Sequence, residues 1–306
     1  MNVLIIGGNG FIGSHLIDHL LENKHKVRVF DISCEKFREP LPNVDYRISK
    51  LDNIPELYEA MLGIDIVFHL ASASVPSTSN VDQIADVNNN LIPTLNILNL
   101  MNRLGIKKIV YFSSGGAVYG NTGLPMITED APLNPISSYG ILKATIEHYI
   151  YLYNRLHNLK YLIVRPSNPY GPRQGHFIAQ GVISTFMKRV YEGETLSVFG
   201  DGLASKDYIY IKDFVSILYK LVEHEAEGIF NLGSGTGTSI NSIIEEVNSI
   251  TGITSAVDYT PQKAYDVSNF ILDISKLKSI VGDFKFTTLN SGMRETWSWI
   301  KSSNKK

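Results

Sequence analysis

The sequence Val3-Leu4-Ile5-Ile6-Gly7-Gly8-Asn9-Gly10-Phe11-Ile12-Gly13 decides the fold of this chain. Its four apolar residues before the glycines are typical of a strand buried on both faces, as in a parallel sheet covered by helices. Gly7 permits a tight turn, Gly10 lets a ligand approach the backbone, and Gly13 lets the next helix pack against the strand. The start of that helix, with Phe11 and Ile12, predicts a site for the pyrophosphate of a dinucleotide.

An acidic residue favours this interpretation over a glycine turn that binds nothing. A second apolar strand, Val27–Phe30, is followed by Asp31, about 20 residues past the loop, where a carboxylate can bond both hydroxyls of an adenosine ribose. The same carboxylate repels a 2′-phosphate, so we expect NAD rather than NADP. Asp52, after the third strand, either contacts the adenine amino group or caps the helix that begins near Pro55.

The composition excludes several classes of protein. The 306 residues have a formal net charge of −2, with 44% hydrophobic and 19% charged residues, so no basic excess indicates nucleic-acid binding. A single cysteine, Cys34, excludes an internal disulfide and a cysteine-rich metal site. No apolar run approaches the length of a membrane span, and the chain begins with a core strand. We therefore expect a cytoplasmic protein without a metal.

Strands and helices alternate through the first half of the sequence. Strands are predicted at 27–30, 44–48, 65–69 and 108–112, and helices near 11–22, 54–62, 82–103 and 138–157. This alternation indicates a Rossmann-type, doubly wound parallel α/β sheet. Pro93 predicts a kink in the helix over 82–103. His69, in the fourth strand, is interpreted as a buried core residue rather than a catalytic one.

A tyrosine and a lysine stand four residues apart on one face of the helix over 138–157. They are Tyr139 and Lys143, and this spacing brings the ammonium near the phenol. An ammonium together with a bound nicotinium would lower the pKa of the tyrosine from about 10 toward neutrality. Tyr139 is therefore predicted to be a base for a sugar or alcohol hydroxyl.

In order and spacing, these residues resemble the extended short-chain dehydrogenase/reductases. The chain is most similar to nucleotide-sugar 4-epimerases of the UDP-galactose 4-epimerase type, and the similarity covers nearly its whole length. The shared residues are Gly7, Gly10, Gly13, Asp31, His69-Leu70-Ala71, Ser113-Ser114, Tyr139 and Lys143, followed by Arg165–Pro172, Phe199–Gly202, Asp207–Asp213, Asn231–Gly233 and Asp273–Lys276.

The resemblance implies an epimerase that uses NAD. In such enzymes the tyrosine deprotonates the C4 hydroxyl while hydride passes to tightly held NAD, and the 4-keto sugar turns over and takes the hydride back on its other face. By this similarity Tyr139 is the base and Lys143 binds the nicotinamide ribose, while Asn168 contacts the sugar or diphosphate and Phe199 packs near the nucleobase. Further cofactor contacts are expected from Leu70, Ala71, Ser72, Ser113 and Pro166.

Several positions depart from the family pattern. Gly115 stands where the family usually has the Ser or Thr that bonds the sugar O4; Ser114 either takes over this role or only bonds backbone at the strand end. Lys206 and Lys263 replace the diphosphate-binding arginines, so they either neutralise phosphate without a bidentate fork or lie on a solvated surface. Phe270 either leaves room beside C2 for a hydroxyl but little for an N-acetyl group, or belongs to the core.

The resemblance also implies an organisation into two lobes and a dimer. Residues 1–167 would form the NAD-binding domain, with 207–233 packing back onto it, and residues 168–306 a smaller mixed α/β substrate-binding lobe. The helices near 90–103 and 138–157 would pair with their symmetry mates in a four-helix homodimer interface.

Three functions are weighed. The expected one is a nucleotide-sugar 4-epimerase acting on UDP-glucose and UDP-galactose or a related sugar nucleotide, with polysaccharide precursor synthesis as its natural pathway. A ketoreductase of nucleotide 4-keto sugars, using NAD(P)H, shares the tyrosine and lysine. A catalytically silent NAD-binding regulator is suggested by Gly115 alone. Dehydration is rejected, because Gly116 and Ala117 stand where dehydratases carry Asp and Glu.

Overall fold

The computed structural model describes residues 1–175, 181–261 and 269–303. Its strands are β1 (Asn2–Ile6), β2 (Lys26–Asp31), β3 (Val44–Ile48), β4 (Ile66–His69), β5 (Lys108–Phe112), β6 (Lys160–Pro166), β7 (Asn168–Tyr170), β8 (Leu196–Phe199), β9 (Ser205–Tyr210), β10 (Gly228–Leu232), β11 (Gly237–Ser239) and β12 (Val257–Thr260). Its helices are α1 (Phe11–Glu22), α2 (Ile54–Met61), α3 (Gln83–Asp86), α4 (Ile92–Leu104), α5 (Gly115–Tyr119), α6 (Ser138–His157), α7 (Val182–Glu192), α8 (Ile211–Glu223), α9 (Ile240–Thr251), α10 (Ser275–Val281) and α11 (Leu289–Ser303).

A seven-stranded sheet organises the described part of the chain, with the strand order β10-β6-β5-β4-β1-β2-β3. The pairs from β6 to β3 are parallel. The order reverses at β1, which lies between β2 and β4, so a crevice opens at the carboxyl ends of β1 and β4. This topology confirms the predicted Rossmann-type fold.

The strand before the glycine loop lies at the centre of the sheet and is fully buried. Val3, Leu4, Ile5 and Ile6 are each 0% exposed. Leu4 and Ile6 belong to a core cluster with side chains from α2, α4 and α6, and alternation along the strand turns Val3 and Ile5 to the opposite face. Because each such side chain stabilises the fold by about 1.5–3 kcal/mol when buried, β1 holds the glycine loop on a rigid base.

The helix predicted over 82–103 is divided into three pieces. The short α3 is followed by a π-helical turn, Val87–Leu91, and then by α4. Pro93 lies in the first turn of α4, where its missing N–H needs no partner. The predicted irregularity is therefore the π turn that precedes Pro93, because a π turn inserts an extra residue into the helix.

The chain divides into two compact units: Met1–Gly120 with Pro132–Arg165 and Leu221–Phe230, and Asn121–Ala131 with Pro166–Lys220 and Asn231–Lys306. The expected boundary at 167/168 thus falls at Arg165/Pro166. Of 207–233, only the part within Leu221–Phe230 belongs to the first unit. Asn121–Ala131 belongs to the second unit, where Ile127 forms a β-bridge with Leu272, a long-range pairing that composition does not reveal.

The second unit contains two small sheets, ordered β11-β9-β7 and β12-β8. Across all described ranges, no helix has both the length and the apolar character needed to cross a membrane. The same ranges contain no group of three or more His, Cys, Asp or Glu side chains arranged to hold a metal ion. Cys34 is an exposed free thiol.

Candidate active site

In the glycine loop after β1, two glycines are required by the fold, and a third leaves room for a ligand. Gly7 has a φ of +84°, and a Cβ there would lie 2.7 Å from the amide nitrogen of Ala71. A Cβ on Gly13 would lie 2.5 Å from the carbonyl oxygen of Gly8. On Gly10, in contrast, a Cβ would meet only the Gly7 oxygen at 3.5 Å, an ordinary contact. The chain itself therefore does not require Gly10, and the open space beside it fits a pyrophosphate.

The N-terminus of α1 also fits an anion. Its N-cap residue is Gly10, whose position supplies no side-chain cap, and its first turn contains no acidic residue. Phe11 and Ile12 are the first two residues of the helix. The amide groups of this turn are therefore available as donors at the positive end of the helix dipole.

Asp31 ends β2 and is held in place by the glycine loop. Its Oδ2 accepts a hydrogen bond from the Asn9 amide at 3.0 Å, and its Oδ1 accepts from the amide and hydroxyl of Ser33 at 3.0 and 3.1 Å. A carboxylate has about two acceptor sites on each oxygen, so Ser33 fills those of Oδ1, and Oδ2 keeps one for a ribose hydroxyl. Asn9 and Ser33 were missed at the sequence level, because only the fold brings them to the carboxylate.

A nearby arginine does not offer a ready site for a 2′-phosphate. The guanidinium of Arg38 forms ion pairs with Asp18 and Glu35 and donates to the carbonyl of Ser14. It is thus already committed to two carboxylates. Together with Asp31, this arrangement favours the unphosphorylated ribose of NAD.

Other predicted cofactor residues lie at the crevice. The amides of Leu70 and Ala71 both donate to the carbonyl of Ile6, at 2.9 and 3.0 Å, which packs the end of β4 against the glycine loop. The hydroxyl of Ser72 donates to the carbonyl of Ser74 at 3.0 Å. The alternative that Asp52 caps a helix is wrong, because the N-cap residue of α2 is Asn53.

Tyr139 and Lys143 lie on α6, and Ser114, which precedes α5, lies next to Tyr139. The ammonium of Lys143 lies 5.6 Å from the ring centre of Tyr139 and donates to the Phe112 carbonyl at 2.7 Å. The side chains of Ser114 and Tyr139 are hydrogen-bonded. Ser114 occupies the N-cap position of α5 but caps nothing with its side chain. The hydroxyl of Ser114, beside Gly115, is thus bonded to Tyr139, and its expected bond to the sugar O4 stays a prediction.

The pKa of Tyr139 differs from the expectation. Burial raises it to about 12, a hydrogen bond from Ser114 opposes this rise, and the charge of Asp86 adds to it. Burial likewise lowers the pKa of Lys143 to about 8, against the charges of Glu147 and Asp86. The expected lowering relied on two cations, the ammonium and a nicotinium. The ammonium alone does not outweigh the desolvation of the phenolate.

Buried charges beneath the site were missed in the sequence. Glu147 accepts from Arg165 through both carboxylate oxygens, at 3.1 and 2.6 Å, and from the Ser113 hydroxyl at 2.5 Å. Arg165 also donates to the Tyr119 hydroxyl at 2.8 Å. The hydroxyl of Ser113 is thus bound to this ion pair. The position of Glu147, four residues after Lys143 on α6, was the signal that could have identified it.

A small pocket brings predicted catalytic and cofactor residues together. Tyr139 and Lys143 line it with Ala71, Ser72 and Asp86. His69 lies in the core nearby and bonds Thr94 at 2.9 Å. Burial lowers the pKa of His69 to about 3, and the charge of Lys143 acts in the same direction. His69 is therefore neutral, in agreement with its interpretation as a core residue.

The predicted substrate residues of the second unit lie on its small sheets. Asn168, in β7, donates to the Asp207 carbonyl at 2.8 Å. Lys206, in β9, forms a β-bridge with Phe270. These strands therefore hold Asn168, Lys206 and Phe270 on neighbouring backbone segments.

The exposure of the two aromatic candidates differs. Phe199 ends β8 and is 41% exposed, whereas Phe270 is 3% exposed, as a core residue would be. A role for Phe270 at the sugar C2 stays a prediction. Pro166 ends β6, and Lys263 lies outside the described residues.

Comparison with known proteins identifies the family. The model of the NAD dependent epimerase/dehydratase family matches residues 3–233. The chain belongs to this family. A putative UDP-glucose 4-epimerase of Methanocaldococcus jannaschii is 33% identical and covers 99% of both chains. A dTDP-4-dehydro-6-deoxyglucose reductase of Escherichia coli is 32% identical, and the match covers 95% of each chain.

Two solved structures match this chain over 99% of its length. The UDP-glucose 4-epimerase of Thermotoga maritima with UDP-glucose has a TM-score of 0.93 and 33% identity, and the match covers 99% of this chain and 100% of that one. The UDP-glucose 4-epimerase of Thermus thermophilus in complex with NAD has a TM-score of 0.92 and 29% identity, with the same coverage.

Proposed function

We propose that the chain is an NAD-dependent nucleotide-sugar 4-epimerase that acts on UDP-glucose and UDP-galactose or a related sugar nucleotide. The observation that carries this proposal is the group formed by Ser114, Tyr139 and Lys143 beside the pocket. A tyrosine bonded to a serine hydroxyl and flanked by an ammonium can take a proton from a sugar hydroxyl and return it.

Each of these residues has a distinct task. A bound NAD would supply the acceptor, and then the donor, of the hydride at the sugar C4. Tyr139 removes the proton of the C4 hydroxyl, and the hydrogen bond from Ser114 stabilises its phenolate. Lys143 binds the nicotinamide ribose and supplies a positive charge beside the phenol. Tyr139 is half-buried, and the lower dielectric around its phenol strengthens both interactions.

The cofactor assignment follows from the loop and β2. The space beside Gly10 and the uncapped start of α1 suit the pyrophosphate. Asp31, oriented by Asn9 and Ser33, suits an unmodified ribose. The contact between Asp52 and the adenine is part of the same proposal.

A nucleotide-sugar 4-keto reductase is the second candidate function. The similarity to the Escherichia coli reductase favours it, because the same tyrosine and lysine protonate a keto oxygen in the reverse direction. The silent regulator was suggested by Gly115 alone, and the hydrogen bond between Ser114 and Tyr139 supports the epimerase against it.

We also propose that the protein is a cytoplasmic homodimer formed through α4 and α6. Both helices present large apolar side chains to solvent, and an exposed apolar surface of this kind is typical of an interface. The exposed side chains are Ile92 on α4 and Ile141, Tyr151, Leu152 and Leu156 on α6, with exposed fractions of 43–64%.

A substrate deuterated at C4 tests the reaction. An epimerase keeps the label at C4 of the inverted sugar, because the hydride never leaves the site, and we expect no exchange into solvent or added NAD. Mass spectrometry of sugar and cofactor measures both. Deuterium in free cofactor would establish the reductase instead, and retained NAD without turnover of any nucleotide sugar would establish the regulator.

A further inference from the structure

A carboxylate lies in the wall of the catalytic pocket and has no ionic partner among the described residues. Asp86 is 4% exposed and accepts hydrogen bonds from the Ser74 hydroxyl at 2.5 Å, the Asn90 amide at 2.7 Å and the Ser138 hydroxyl at 2.7 Å. A buried charge with neutral partners alone is costly. The presence of a buried carboxylate at this point of the fold therefore needs an explanation beyond packing.

The backbone around Asp86 fixes the orientation of its carboxylate. Asp86 ends α3, and the π turn that follows it carries Asn90. Asn90 donates to the Asp86 carboxylate and accepts from the Ala73 amide at 2.8 Å. Because Ser138 is the first residue of α6, Asp86 connects the segment after β4 to the start of the helix that carries Tyr139. Single π turns of this kind occur frequently at functional sites.

Two carboxylates favour the charged form of Lys143, Glu147 more strongly than Asp86. Glu147 also faces Lys143, but Arg165 binds it through both oxygens. From the neighbouring strands, His69 and Tyr111 face the ammonium. Burial keeps both neutral, since it lowers the pKa of His69 to about 3 and raises that of Tyr111 well above its ordinary value.

The same carboxylate acts on the tyrosine. Lys143 and Asp86 line one pocket, and the negative charge of Asp86, after that of Glu147, raises the pKa of Lys143 against the effect of burial. It also raises the pKa of Tyr139. One group therefore favours the charged lysine and the protonated tyrosine at the same time.

We propose that Asp86 is a positioning residue of the epimerase reaction, which fixes the start of α6 through Ser138 and balances the ammonium of Lys143 across the pocket. This role of Asp86 rests on the proposed function. Asp86 touches neither the sugar nor the proton that moves, and it acts through these two neighbours.

Two variants separate charge from hydrogen bonding. Asp86→Asn removes the charge at nearly constant volume, so the phenolate of Tyr139 becomes easier to form and the ammonium of Lys143 easier to lose. Both limbs of the pH–rate profile should therefore move to lower pH, by about one unit, with a fall in turnover. Ser138→Ala removes one bond and keeps the charge, so it should lower turnover without moving either limb.

A titration without turnover provides a second measurement. The ultraviolet absorbance of tyrosinate, taken as the difference between matched proteins with and without Tyr139→Phe, reports the pKa of Tyr139 alone. We expect this pKa to fall in Asp86→Asn and to stay in place in Ser138→Ala. If Asp86→Asn does not fold, Asp86→Ser keeps an acceptor oxygen without the charge and gives the same comparison.

The outcomes are distinct. Unmoved pH limbs and an unmoved titration in the uncharged variant would overturn the role of Asp86, whatever happens to turnover. A wild-type protein that epimerises no nucleotide sugar would overturn the proposed function, while the titration would still decide whether Asp86 controls Tyr139.

Discussion

The hydrogen bond between Ser114 and Tyr139 joins two residues of the proposed catalytic group. Sequence spacing predicts that Tyr139 and Lys143 share a helix face, and both lie on α6 as expected. Spacing does not predict how deeply they are buried. Burial reverses the expected sign of the tyrosine pKa shift, because desolvation depends on every atom around the phenol and not on its helix alone.

A double-mutant cycle tests this pair. Tyr139→Phe should lower turnover by about 100-fold to 10,000-fold with little loss of NAD. Ser114→Ala should lower it by about 10-fold or more, because it removes a hydrogen bond to a charged group. Since Ser114 acts through the tyrosine, Ser114→Ala should have almost no further effect in the Tyr139→Phe background. Single-turnover rates measure all four proteins. An equal loss in both backgrounds would show that Ser114 acts independently of Tyr139.

The glycine loop and α1 show which parts of an element the sequence determines. The motif predicts the bounds of α1 correctly, as residues 11–22, because apolar periodicity and glycine punctuation are local signals. The helix expected over 82–103 was not predicted in its true form. A π turn depends on the partners of Asp86 and Asn90, and Ser138, one of these partners, lies about 50 residues further along the chain.

Two alanine substitutions separate folding from cofactor binding in the loop. Gly13→Ala places a methyl against the Gly8 carbonyl and should lower the free energy of unfolding by about 1–3 kcal/mol. Gly10→Ala meets no such conflict, and its φ of −83° suits alanine, so stability should be retained. Its methyl fills the space offered to the pyrophosphate, so NAD affinity should fall about 10-fold or more.

Urea unfolding of cofactor-free protein and calorimetric titration with NAD measure the two effects separately. Wild-type NAD affinity in Gly10→Ala would show that the loop glycines serve the turn alone. In that case the space beside Gly10 would not be the pyrophosphate site.

On the scale of the whole molecule, the parallel sheet follows from the sequence and the division into units follows only in part. Buried strands that alternate with helices leave few topologies, and the chain adopts the Rossmann-type one. The segment Asn121–Ala131 joins the second unit, although its sequence is a polar, proline-containing loop. Its place is set by pairing of Ile127 with Leu272, and no local pattern encodes a partner so distant in sequence.

The proposed dimer is tested by placing a charge on α6. Leu156 is 64% exposed, and covering a leucine contributes about 1.5–3 kcal/mol. A two-fold interface contains the residue twice, so Leu156→Glu should weaken the dimer by about 100-fold or more. Ile253→Glu is the matched control, since Ile253 is also exposed, at 47%, but lies outside α4 and α6. Sedimentation velocity should show a dimer for the wild type and the control, and a monomer with an unchanged circular dichroism spectrum for Leu156→Glu. A wild-type monomer, or a dimer that survives Leu156→Glu, would mean that these two helices do not form the interface.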